Sequence, residues 1–152
     1  MAGSYQVASQ QRTIQVVGPT QVVDVMEIGA FSEPSNVYFQ RYIPFTSWQL
    51  LSGPQGLGFW LQPIVDAIED SLASGAAAAV TFLQDIDQAS GLLADFLEFT
   101  VSYTPVGGLL PMTTTVRYPI DNLVIEFAGG ALSGLSDALA ASKAQLQNVA
   151  GT

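Results

Sequence analysis

Histidine and cysteine are both absent from this 152-residue chain, and only four residues are basic. Without cysteine there are no disulfides and no thiolate metal sites; without histidine, the usual zinc, copper and haem ligations lose their main ligand type. A serine nucleophile has no imidazole to activate it, and the sole lysine, Lys143, falls on the polar side of a helical pattern, an exposed place for a catalytic base. Charge of either sign is scarce: Asp, Glu, Lys and Arg make up 11% of residues, against about 25% in an ordinary soluble domain. A monomer of this mass exposes roughly 7,000 Å² by surface scaling, about 400 Å² per charged side chain. Such a surface favours contact with other surfaces.

What charge there is has one sign, 13 acidic residues against four basic, for a formal net charge of −9. Arg12, Arg41, Arg117 and Lys143 are scattered, so no basic patch exists for phosphates and no direct nucleic-acid binding is expected. Long apolar runs are missing too. The uncharged tract from Tyr42 to Val65 is broken by Pro44, Gly53, Pro54, Gly56, Gly58 and Pro63, which predicts no membrane span. Met1 to Gln11 lacks the basic start and apolar run of a secretory signal. It reads as part of an arm over residues 1–12, flexible or ordered by a partner.

Residues 13–152 read as one α+β domain. Thr13 to Val17, Gln21 to Ile28 and Asn36 to Ile43 are rich in Val, Ile, Tyr and Phe and are separated by turn sequences, which predicts three strands. Thr46 to Trp60, rich in Gly and Pro, is expected to be a surface loop with Trp48, Leu57, Phe59 and Trp60 available to a partner. Pro63 suits a first helical turn, and Ile64, Val65, Ile68 and Leu72 continue a helix to Ser74-Gly75. A second helix is predicted from Ala76 to Leu97, with Val80, Leu83, Ile86 and Leu93 in its stripe. Phe96 to Tyr103 alternates as a half-buried strand, and Thr113 to Tyr118 and Ile120 to Phe127 read as two more, meeting at Pro119. After Gly129-Gly130, the leucines 132, 135, 139 and 146 recur at helical spacing. The expected architecture is a mainly antiparallel sheet of five or six strands with two or three helices on one face. No fixed-length internal repeat is visible.

Catalysis would have to rest on carboxylates. Asp66 with Asp70, Glu69 with Asp70, and Asp85 with Asp87 are near one another, but their spacing is that of solvated helix faces. Asp85-Ile86-Asp87 is followed by Ala89 and Ser90 where a calcium loop requires a ligand and a glycine. The run Gly53 to Gly58 lacks the Lys-Ser or Lys-Thr of a phosphate loop, and the glycines from Gly129 to Gly134 open a helix that no basic residue supports as an anion site. No catalytic residue, cofactor or metal ligand is assigned.

These exclusions point to a non-enzymatic, self-assembling subunit whose partners are copies of itself and other subunits of an assembly. The candidate contacts are Trp48, Leu57, Phe59, Trp60, Leu132, Leu135, Leu139 and Leu146. In composition, with abundant Ala, Gly, Thr, Gln and Val, sparse charge and an acidic balance, the chain resembles subunits of viral or bacteriophage particles. That resemblance implies a capsid, tail or connector role, forming symmetric oligomers in a virion or other extracellular particle after a cytoplasmic stage. The alternative is a small-molecule or lipid-binding module with Tyr38, Phe39, Tyr42, Phe99 and Tyr103 around a cavity between sheet and helices.

Overall fold

The computed structural model describes residues 3–50, 56–108 and 110–151. The described residues form two three-stranded antiparallel sheets and four helices in one α+β domain, so the single larger sheet expected from sequence is divided in two. The first sheet has strands β1 (Ser4–Gly18), β2 (Gln21–Glu33) and β3 (Tyr38–Pro44) in that order, and is followed by helices α1 (Phe45–Leu50) and α2 (Gly56–Ala73). The second has β4 (Ala79–Ile86), β5 (Leu93–Tyr103) and β6 (Met112–Pro119), followed by α3 (Ile120–Ala128) and α4 (Ser133–Ala150).

The chain therefore runs β-β-β-α-α twice. In each half the third strand passes directly into a short helix at a proline, Pro44 and then Pro119, and the closing helix has 18 residues. Proline suits this junction because it gives no N–H to the ladder and its fixed φ is compatible with a helix start. Pro44 lies opposite Val25, and Pro119 opposite Phe96, at matching places in the two sheets. The repeat escaped sequence reading because it is one of topology, with little shared residue pattern.

One continuous core joins the halves. Ile28, Phe39 and Ile43 of the first sheet, Leu61, Ile64 and Ile68 of α2, Leu97 and Phe99 of β5, and Ile120 and Leu123 of α3 are all fully buried. Each such side chain stabilises the fold by roughly 1.5–3 kcal/mol.

Tertiary pairing overrides local pattern in four places. Residues 4–12 of the expected arm are the first part of β1, paired with β2 of the same chain. The expected Thr46 to Trp60 loop is helical over Phe45–Leu50 and again from Gly56 on, with Pro63 inside α2. Its strongest turn sequence, Gly53-Pro54-Gln55, lies outside the described residues. Helix wins from Gly56 on because Leu57, Leu61, Ile64 and Ile68 share one stripe, and its burial outweighs the local cost of Gly58 and Pro63.

The expected helix from Ala76 to Leu97 is instead β4, a turn and the start of β5. Val80, Leu83 and Ile86 imitate a helical step of three, but pairing of Ala79–Ile86 with Leu93–Thr100 decides the outcome. In the turn between them, the Gly91 N–H donates to the Asp87 carbonyl, with Gly91 at φ 72°. The expected strand Ile120 to Phe127 is α3, because Ile120, Leu123, Val124 and Phe127 fall on one helical face.

Candidate functional site

The densest polar chemistry lies where the two halves meet. Strand alternation puts Arg41 on the face of Phe39 and Ile43, opposite Ile28, and leaves it only 7% exposed. Its guanidinium sits 5.5 Å from the centre of the Trp60 ring. The Arg41 Nε and Trp60 Nε1 are buried without a hydrogen-bond partner among the described residues. Burial lowers the Arg41 pKa, while Asp121 in the first turn of α3 and Asp95 on β5 oppose that shift. Burial also pushes the Asp95 carboxyl up, against the hydrogen bond it accepts from Gln84 Nε2 at 2.7 Å. Tyr42, desolvated and close to Glu27 and Asp95, is pushed up to about 12.

These groups border a cavity of about 340 Å³ shared by Gln15, Arg41, Tyr42, Trp60, Asp95 and Asp121. One cation beside two carboxylates gives no net positive field, so the cavity does not favour an anion. A larger groove of about 760 Å³ separates α2 from α4, with Asp66, Asp70, Phe127, Leu135, Leu139 and Lys143 on its walls. Burial pushes Asp66 up, although Gln62 Nε2 donates to it at 2.8 Å.

The carboxylates singled out by sequence have structural partners. Glu69 is buried and accepts from the Ser35 N–H and hydroxyl, the latter at 2.7 Å, so it ties α2 to the β2–β3 connection. Asp85 is paired with Arg117 at 2.7 Å, and Arg117 also reaches Glu98 at 3.1 Å. Among the described residues, no group of three or more acidic side chains is placed to hold a metal ion. At the glycine-rich entry to α4, Glu126 accepts from the Leu135 N–H at 3.1 Å and from the Tyr118 hydroxyl. A carboxylate of the chain itself thus occupies that helix N-terminus. Comparison with known protein families, curated proteins and solved structures finds no match.

The five aromatics proposed for a cavity lie in different settings. Phe39 and Phe99 are fully buried in the core, Tyr38 is exposed and edge-on to Phe31, and Tyr103 packs at the core margin. Of the five, Tyr42 alone borders either of the two cavities described. Among the proposed contact residues, Leu135, Leu139 and Leu146 are buried, and α4 packs on β5 and β6. Trp48, Leu57, Trp60 and Leu132 are partly buried against the core, whereas Phe59 is exposed and meets Trp60 edge-on.

Sequence reading missed an exposed apolar row on the first hairpin. Val16 faces Val22 and Ile14 faces Asp24 across the β1–β2 hairpin, so these four side chains share one side of it. Ile14, Val16 and Val22 are 66%, 64% and 63% exposed. On the same side, Arg12 pairs with Asp24 at 2.6 Å and lies 3.7 Å from the centre of the Phe45 ring. The sequence signal was the alternation of Ile14 and Val16 with Thr13 and Gln15, which marks a two-faced strand without saying which face is covered.

Proposed function

We propose that this chain is a non-enzymatic structural subunit that assembles with copies of itself. The observation that carries the reading is the exposed row Ile14, Val16 and Val22 beside the outer edge of β1. β1 is an edge strand of 15 residues with no proline, and apart from the Arg12 charge and the irregularities in its pairing with β2 at Val7–Ser9 and Val16–Gly18, little blunts it against pairing. The chain exposes 8408 Å², roughly 500 Å² for each of its 17 charged residues, which favours burial against another surface. The compositional resemblance to virion-type subunits makes a shell, tube or connector the form of assembly we favour.

Sedimentation from micromolar to near-millimolar concentration tests this. The expected result is a discrete oligomer, and a monomer throughout that range overturns the reading. As carboxylates protonate toward the pI of about 4.1, repulsion between copies falls and association rises. Light scattering that stays flat from pH 7 to pH 4 would count against it.

A further inference from the structure

The two β-β-β-α-α halves meet head to tail. β3 and α2 of the first half contact β4 and α3 of the second, α2 also touches β4, and β1 reaches β5. A two-fold relation would require the reciprocal contacts of β6 with β1, α4 with α1, α4 with β1 and β4 with β2. No comparable contact of any of these kinds occurs among the described residues. A heterologous contact of this type leaves one used and one unused copy of each surface, and repetition of it builds rings or filaments.

We infer that β6 and α4 of one copy receive β1 and α1 of the next, in the way that β3 and α2 receive β4 and α3 within the chain. This rests on the self-assembly reading above and adds to it a polarity and a pair of surfaces. Counting from the two prolines, Trp48 and Leu50 of α1 correspond to Leu123 and Ile125 of α3. Leu123 is fully buried whereas Trp48 is partly open, and Ile125 and Leu50 both lie at the rim, 70% and 85% exposed. With the two long helices aligned end to end, the buried Ile64, Ala67 and Ile68 of α2 correspond to Ala141, Ala144 and Gln145 of α4, all exposed. The second copy of each surface is therefore uncovered.

Charge placement fits the same occupant. β1, α1, β6 and α4 together hold Arg12, Arg117, Lys143 and Asp137, which is three of the four basic residues and one of the 13 acidic ones. Arg12 and Arg117 are paired with Asp24, Asp85 and Glu98 on neighbouring strands, so these surfaces present nearly balanced charge to a second copy of a chain with net charge −9.

The natural absence of cysteine makes the test specific. Leu50→Cys and Ala144→Cys are prepared separately in the full chain, checked for oligomer formation by sedimentation, and treated with a flexible bifunctional maleimide alone and mixed. The expected result is a covalent dimer several-fold more abundant in the mixture than in either variant alone. Equal dimer from each variant alone overturns the head-to-tail arrangement, as does an oligomer that gives no mixed dimer. Ala144→Glu should also shift the full chain toward monomer, and an unchanged oligomer would count against α4 as a contact. A wild-type chain that sediments as a monomer throughout overturns the self-assembly reading itself, which separates the two failures.

Discussion

Helices α2 and α4 have the same length and the same place in the element order of their halves, yet they are buried differently. α2 has nine buried positions spread around its circumference, because it lies on the first sheet and also against α3 and β4. α4 has three, Leu135, Leu139 and Leu146, and its contacts are with β5, β6 and α3. One topology thus yields an interior helix and a surface helix, according to whether another half stands beside it. The difference teaches that burial here is set by neighbours and not by helix length or position in the repeat.

The largest effect expected from this contrast is on core truncation. Ile68→Ala on α2 should cost about 2–5 kcal/mol in urea unfolding, and Leu146→Ala on α4 should fall at or below the lower end of that range. Equal losses would break the comparison. Glycine substitutions should differ in sign. A Cβ on Gly134 of α4 would stand 2.5 Å from the Tyr118 hydroxyl and 2.6 Å from Glu126 Oε2, so Gly134→Ala should cost about 1–3 kcal/mol. At Gly58 of α2 the nearest atom is 4.0 Å away, and Gly58→Ala should stabilise by up to about 1 kcal/mol through helix propensity. Thermal unfolding of both variants checks the pair.

The smallest effects are electrostatic and contrast the seam with the hairpin. Burial raises the Asp95 pKa above its ordinary value, so its charged form weakens the fold above the folded-state pKa and has no such effect below the ordinary one. Asp95→Asn should be more stable than the parent at pH 7, with the gap closing as pH falls through that window. Arg12 lowers the Asp24 pKa, so that carboxylate helps the fold above its ordinary value and ceases to help as pH falls through the folded-state pKa. Asp24→Asn should therefore be less stable at pH 7, and the loss should vanish at low pH. Melting temperatures of both variants from pH 7 to pH 3 test the two signs together.

Much of the fold was legible where one period stood alone. The alternation of Leu97, Phe99 and Val101 marked β5, and the leucines of α4 marked their helix. Reading failed where two periods overlapped, as in Val80, Leu83 and Ile86, or where β-branched residues occupied a helical stripe, as in α3. Of the seam, Trp60 was singled out in the sequence for a partner and not for its place beside Arg41, and nothing local marks an arginine for burial.

The sequence by itself determined the chemistry that is missing, the scarcity and sign of charge, and the turn and proline punctuation, because those depend on residue type alone. Tertiary structure alone decided that the chain is two like halves set head to tail, that Arg41 is enclosed between them, and that Ile14, Val16 and Val22 are left outside. Those outcomes depend on which surface lies beside which, and contacts between residues far apart in the chain are not written in any local pattern.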